Sequence, residues 1–243
     1  MDKIDKLKEI IEESDSIVLF TGAGISTASN IPDIRSADGI YSKLYKGIIS
    51  PEQAVSHSFF VNSTSEFYEF YFEKMVYLDA KPNKAHEFFA KLEQEGKLVA
   101  TITQNIDDLH QMSGSKKVVE LHGSVKRNYC MKCNKFYSVE EIYNQTPPTC
   151  NCGGIIKPDV VLYEEMLKDK DIKDAISYIS NCDTLIVVGT SLMVYPAAGF
   201  LRYFNGKHLV LINKTKTTYD EYAHLVINDD VVKVVEEYEN RKI

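Results

Sequence analysis

Two rhythms of apolar and polar residues alternate along the chain. Short runs dominated by apolar and β-branched residues recur at 17–21, 98–103, 118–121, 184–188, 208–212 and 225–227. Runs this short, closed by glycine or polar residues, predict strands buried on both faces. Between them apolar positions recur every third or fourth residue. Ile4, Leu7, Ile10 and Ile11 predict an amphipathic helix over 3–14, and further helices are predicted over 84–95, 169–179 and 231–238. Strands alternating with helices predict an α/β fold whose parallel sheet is covered on both faces. Such sheets bind ligands beyond the C-terminal ends of their strands. Polar residues crowd at those ends here: Thr21-Gly22-Ala23-Gly24, Gln104-Asn105-Ile106-Asp107-Asp108, His122-Gly123, Gly189-Thr190-Ser191 and Asn213. The five polar ends predict one site.

Residues 36–95 differ in kind. Phe59, Phe60, Phe67, Tyr68, Phe70, Tyr71 and Phe72 fall at helical spacing before a break at Lys81-Pro82-Asn83. Aromatic stripes of this sort bury themselves, so they read as core and helix-packing residues, with some free to line a channel for an apolar group. Composition adds little to this picture. The chain has 243 residues, 44% hydrophobic and 26% charged, ordinary for a globular protein with a sizeable core. A net charge of −7 argues against non-specific nucleic-acid binding. No stretch approaches the ~20 apolar residues of a membrane span, and the charged N-terminus has no signal-peptide core. A cytoplasmic protein without membrane or nucleic-acid partners is expected. The sequence does not set its oligomeric state, and a monomer satisfies it.

Candidate chemistry starts at Gly22 and Gly24. Without a Cβ, their backbone N–H groups can approach a phosphate, and a helix starting near Ser26 would add its N-terminal partial charge. The expected ligand is a nucleotide pyrophosphate. Thr27 stands where a dinucleotide fingerprint has its third glycine, so the stretch also fits an ordinary strand-to-helix turn. Of five cysteines, Cys130 and Cys133 form one close pair and Cys150 and Cys152 another, with 16 residues between the pairs. Two thiolate pairs at this spacing predict a closed, structural Zn²⁺ tetrahedron, with Gly153-Gly154 supplying a tight turn. A redox dithiol is the alternative, although it needs one pair and not two. Cys182, alone before an apolar run, reads as a buried small hydrophobe.

Together these stretches resemble the sirtuins, the NAD-dependent protein lysine deacylases, in the form of a bacterial or archaeal minimal catalytic core. The resemblance is carried by Gly22-Ala23-Gly24-Ile25-Ser26, Ile31-Pro32-Asp33-Ile34-Arg35 and Thr103-Gln104-Asn105-Ile106-Asp107. It continues through Leu121-His122-Gly123, the four paired cysteines, Val188-Gly189-Thr190-Ser191-Leu192 before Pro196-Ala197-Ala198, and Asn213. It implies a Rossmann-like doubly wound parallel sheet (1–35, 96–124 and 160–243). It also implies a smaller discontinuous domain, made of a helical insertion with the cofactor-binding loop (36–95) and a zinc-ribbon module (125–159). NAD and an acyl-lysine protein or peptide would enter the cleft between these parts from opposite sides.

The resemblance also implies roles. His122 would be the general base on a ribose hydroxyl, with Asn105 and Asp107 positioning ribose, water or the nicotinamide amide. The cofactor would be bound by Gly22, Ala23, Gly24, Thr27, Asp33, Ile34 and Arg35, then by Gln104, Ile106, Gly189, Thr190, Ser191, Asn213 and Asp230. The peptide would run along Val160, Val161 and Val194, and Cys130, Cys133, Cys150 and Cys152 would hold one structural zinc. The activity implied is lysine deacylation, foremost deacetylation, releasing nicotinamide and O-acyl-ADP-ribose. ADP-ribosyl transfer or NAD hydrolysis would use the same pocket, and a non-catalytic NAD-sensing module is the reading outside enzymes. The chain departs from the family pattern at Asn30, Asp108 and Glu164, each in place of glycine, and at Ile34 in place of phenylalanine. Sirtuins that prefer succinyl- or malonyl-lysine carry a Tyr-x-x-Arg pair before the Pro-Asn break. Ungapped counting puts Phe70 and Glu73 there, with Tyr71 and Lys74 one residue out of register. That alignment implies a preference for neutral acyl groups.

Overall fold

Each predicted apolar run becomes a strand in the computed structural model, which describes residues 2–33 and 49–241. Strands β1 (Ile17–Thr21), β2 (Leu98–Thr103) and β3 (Val118–Glu120) form one wing of a parallel sheet. The chain then leaves it to build a separate antiparallel sheet from β4 (Gly123–Cys130), β5 (Phe136–Ser138) and β6 (Ile156–Val160). It returns through β7 (Thr184–Val188), β8 (His208–Ile212) and β9 (Leu225–Ile227), the other wing. The order is β3-β2-β1-β7-β8-β9, the Rossmann order. The strand order reverses between β1 and β7, which pair in parallel along their whole length. A crevice therefore opens beyond the ends of those two strands.

Both central strands are buried at every position, which is why they lack the alternation of a half-exposed strand. Helices α1 (Lys3–Glu13), α5 (Lys84–Gln94) and α9 (Val231–Asn240) cover one face, where Ile10, Phe89 and Val234 share a core with Leu19 and Ile186. Helix α8 (Asp169–Asn181) and the 3₁₀ segment Ala197–Tyr203 cover the other, packing Ile179 and Phe200 with Phe20 and Val187. The sequence boundary at 95 groups α5 with the insertion. Its Ala85, Phe88, Phe89 and Leu92 fill the core under the sheet instead, so α5 belongs to the sheet layer.

The described part of the insertion holds α2 (Pro51–Ala54), α3 (His57–Asn62) and α4 (Thr64–Lys74). Its aromatic stripe is a core, as its spacing predicts. Phe67, Tyr68, Tyr71 and Phe72 pack edge-to-face, stacked or tilted on one another. They share a cluster with Val125, Ile156 and Val160 of the small sheet, and the Tyr68 hydroxyl donates to the Ile156 carbonyl. Short helices α6 (Leu109–Met112) and α7 (Val139–Ile142) follow β2 and β5.

The three departures from glycine share a cause. Asn30, Asp108 and Glu164 have φ of 62°, 63° and 75°, the left-handed region where glycine costs least and Asn or Asp is the next best choice. Glu164 gains from its side chain: its carboxylate accepts from the N–H of Ser58 at 2.8 Å and from the Ser58 hydroxyl at 2.6 Å. Among the described residues no helix is long and apolar enough to cross a membrane.

Candidate active site

All five predicted strand ends meet at one cavity of 1210 Å³, lined among others by Gly22, Gln104, His122, Gly189 and Asn213. A pocket for a drug-sized ligand has roughly 300–1,000 Å³. This one has room for a dinucleotide beside an extended side chain. Ala23, Gly24, Thr27, Asp33, Asn105, Ile106, Asp107, Thr190 and Ser191 also line it, as do Val160, Val161 and Val194. Ile34 and Arg35 lie outside the described residues.

The glycines serve a different purpose from the one the sequence suggests. The Gly22 N–H donates to the Val188 carbonyl at 3.1 Å and the Gly24 N–H to the Gly189 carbonyl at 2.8 Å. A Cβ on Gly24 would lie 2.6 Å from the Cα of Gly189, and one on Gly189 would lie 2.5 Å from the Ile25 nitrogen. These glycines let the loops after β1 and β7 interlock at the switch point, and the Gly24 N–H is occupied there rather than offered to a phosphate. No α-helix begins near Ser26 either: single 3₁₀ turns, Ala23–Ile25 and Thr27–Ser29, end at left-handed Asn30. Thr190 links three strand ends. Its N–H donates to Asn213 Oδ1 at 2.9 Å and its hydroxyl accepts from Gln104 Nε2 at 3.0 Å. Asn213 Nδ2 is a buried donor without a partner among the described residues, which suits a ribose hydroxyl of a dinucleotide. Asp230 caps α9 by accepting from the Val232 N–H at 2.8 Å and pairs with Lys214 at 2.8 Å, and its neighbours Asp229 and Val231 line the cavity.

His122 Nδ1 sits 2.8 Å from the Gln104 carbonyl oxygen. A carbonyl only accepts, so Nδ1 carries the proton, and in the neutral ring the basic lone pair is on Nε2. Behind it, Ser26 is a hub that sequence reasoning left without a role. Its hydroxyl donates to Asp107 Oδ2 at 2.7 Å and accepts from Asn105 Nδ2 at 3.2 Å. His86 Nε2 lies 3.5 Å from the same oxygen, and its Nδ1 accepts the Asn83 N–H at 3.2 Å, which leaves the ring proton on Nε2. The ring of His110 stands 5.0 Å from that of His86, with Nε2 3.0 Å from the Thr21 hydroxyl. Burial pushes His86 down to about 4 and His110 to about 3, so both are neutral props. Burial raises the Asp107 carboxyl above its ordinary range, opposed by the Leu109 N–H and the Ser26 hydroxyl. The only sequence signal for His86 is its place in the helix start Asn83-x-x-His86, where the two side chains form a capping box.

The four paired cysteines place their sulfurs within 4.8 Å of one another. Cys130 and Cys152 are 3.4 Å apart, Cys133 and Cys150 3.6 Å. A tetrahedron of ~2.3 Å Zn–S bonds has edges of about 3.8 Å, so the set fits zinc with every position taken by a thiolate. N–H groups of Lys132 and Cys133 donate to Cys130 Sγ and the Tyr137 hydroxyl donates to Cys150 Sγ, contacts that favour the charged thiolates. Cys182 is buried, as read.

On α4 the cavity-facing positions are not those that ungapped counting names. Tyr71 and Lys74 line the cavity, whereas Phe70 packs with Ala54 and Val55 in a separate cluster and Glu73 is exposed.

Comparison with known proteins agrees with this geometry. The Sir2 family model matches residues 22–196. A protein of Clostridium acetobutylicum named NAD-dependent protein deacetylase is 57% identical over 239 residues, covering 97% of this chain and 98% of its own. One of Staphylococcus aureus with the same name is 45% identical, covering 96% of each chain. Among solved structures, a Sir2 protein with a deacetylated peptide and 3'-O-acetyl-ADP-ribose has a TM-score of 0.89 at 40% identity, covering 97% of this chain and 96% of that one. Another, bound to an acetylated peptide, has a TM-score of 0.84 at 40% identity, covering 97% of each. By sequence and by structure, the chain belongs to the Sir2 family.

Proposed function

We propose that this protein is an NAD-dependent protein lysine deacylase. The reaction takes acyl-lysine, NAD and water to lysine, nicotinamide and O-acyl-ADP-ribose. NAD, when bound, supplies a ribose carbon from which nicotinamide can leave as the acyl oxygen attacks. His122 Nε2 takes the proton of a ribose hydroxyl, and the Gln104 carbonyl holds the imidazole in the tautomer that allows this. Asn105 and Asp107, fixed through Ser26, orient the ribose and the nicotinamide amide. Ala23, Asp33, Thr190, Ser191 and Asn213 hold the rest of the dinucleotide. The substrate peptide adds to β6, an edge strand of the small sheet among the described residues, with Val194 opposite. Zinc has no open position and does no chemistry. Four reduced thiols suit a cytoplasmic setting. The division into domains that fits this site puts α5 with the Rossmann-like part and leaves the insertion to end before Lys84.

The observation that carries this reading is the imidazole with a fixed neutral tautomer, at the wall of a cavity where five strand ends converge. Its test is the rate of NAD consumption with acetylated, unacetylated and no peptide. Consumption that needs the acetylated peptide supports the reading. Equal consumption without it makes the protein an NAD hydrolase.

A further inference from the structure

Resting on the deacylase reading, we infer that Arg127 is a positioning residue. Its guanidinium ties the strand end that carries His122 to β6, where the peptide docks, and so holds the acyl-lysine and the general base in one fixed relation. Glu120 lies two residues before His122, and Asp159 lies one residue before Val160, which lines the cavity. Arg127 Nη2 donates to Glu120 Oε2 at 2.7 Å, and its Nε donates to Asp159 Oδ2 at 2.9 Å. A guanidinium is planar and rigid, so two bonds from different nitrogens fix the spacing of the two carboxylates. Each carboxylate is also held from its other oxygen. Gln111 Nε2 donates to Glu120 Oε1 at 2.7 Å and Lys168 Nζ to Asp159 Oδ1 at 2.6 Å. The Glu120 and Asp159 side chains are only 12% and 17% exposed, so water screens this bridge less than an ordinary surface pair.

The backbone is shaped to make this bridge. Where β4 pairs with β6, Ser124 stands opposite Asp159 and Asn128 opposite Pro158, which leaves Val125, Lys126 and Arg127 without a partner on β6. Such a bulge re-aims side chains. It also docks on the loop after β2. The Val125 N–H donates to the Ile106 carbonyl at 3.0 Å, and the Ser124 hydroxyl donates to the Asp108 carboxylate. Asp107 lies between those two contacts in the chain. The Val161 N–H closes the junction by donating to the His122 carbonyl at 3.0 Å. One bulge therefore meets the loop with Asn105 and Asp107, the strand end with His122, and the peptide strand. Small misplacements among reacting groups cost rate steeply. Burial pushes Glu120 up to about 7 against the pull of Arg127, with Asp108 adding to the rise. Assays at about pH 8 keep it ionised.

Three measurements at that pH test this in wild type, Arg127→Gln, Arg127→Lys, Asp159→Ala and the double variant Arg127→Gln with Asp159→Ala. They are kcat/KM for an acetyl-lysine peptide at saturating NAD, peptide affinity without NAD by fluorescence anisotropy, and NAD affinity by titration, with zinc content as the control on folding. Arg127→Gln should lower kcat/KM about tenfold or more and weaken peptide binding, with zinc content and NAD affinity kept. Arg127→Lys keeps the charge but cannot fork between two carboxylates, so it should recover only part of the loss. Asp159→Ala should lose a similar amount, and the double variant no more than either single one, because the pair acts as one unit. A kcat/KM within about twofold of wild type in Arg127→Gln, full activity in Arg127→Lys, or additive losses in the double variant overturns the inference. So does a fall of NAD affinity or zinc content in step with activity, which marks a purely structural role. If wild type binds the peptide but does not deacylate it, the deacylase reading fails, and the peptide affinities of the variants still decide the inference. A wild type that binds no peptide overturns both.

Discussion

Among single residues, His122 and the positions with unusual backbone geometry matter most. His122→Ala should lose roughly 10²-fold or more in turnover, the size of a general-base contribution. NAD affinity by titration should change little, because the proposed dinucleotide contacts lie at Thr190, Ser191 and Asn213. Turnover within a few-fold of wild type would make His122 structural. Asn30 tests the backbone argument: Asn30→Gly should stay within ~0.5 kcal/mol of wild type in urea unfolding, whereas Asn30→Ala should cost about 1–2 kcal/mol at its φ of 62°. Equal effects would remove the left-handed explanation. His122, Asn105 and Asp107 could be read from the sequence because each follows a strand whose apolar run is unmistakable. Ser26 and His86 could not, since their contact joins residues 60 apart and nothing local marks it.

Among the elements, the two interlocked loops and the zinc module matter most. Gly24→Ala should cost about 1–3 kcal/mol through overpacking, because its Cβ would meet the backbone of Gly189 and not the tip of a movable side chain. Wild-type stability in that variant would show the loops to be looser than described. Cys133→Ala should abolish stoichiometric zinc and open residues 125–155 to limited proteolysis, since binding free energy is folding free energy in such modules. A zinc-free, protease-resistant and fully active variant would contradict this. The central parallel strands β1 and β7 were readable because burial on both faces makes each a nearly continuous apolar run. The small sheet was not: β4 and β6 carry Lys126, Arg127, Lys157 and Asp159, and their pairing slips between Ser124 and Asn128. No simple alternation survives such a bulge. The position of α5 was missed for a related reason, since the Pro82-Asn83 break marks a new helix but says nothing of the layer it joins.

For the whole molecule, the buried histidine pair ties stability to pH. His86 and His110 titrate near 6.5 when unfolded and are held at about 4 and about 3 when folded. Below pH 6.5 the unfolded chain therefore binds more protons, and stability falls as pH drops toward 4. Each histidine contributes up to ~1.4 kcal/mol per pH unit in that window. Urea unfolding of wild type and His110→Gln between pH 7.5 and 5 should show a shallower slope in the variant, and parallel slopes would remove the pair from the account. The central claim is that one cavity couples nicotinamide release to acyl transfer. Its most direct test is the product ratio from NAD and an acyl-lysine peptide, followed by mass spectrometry over a single time course. Nicotinamide, deacylated peptide and O-acyl-ADP-ribose should form in equal amounts. Nicotinamide with ADP-ribose and an intact acylated peptide would contradict it.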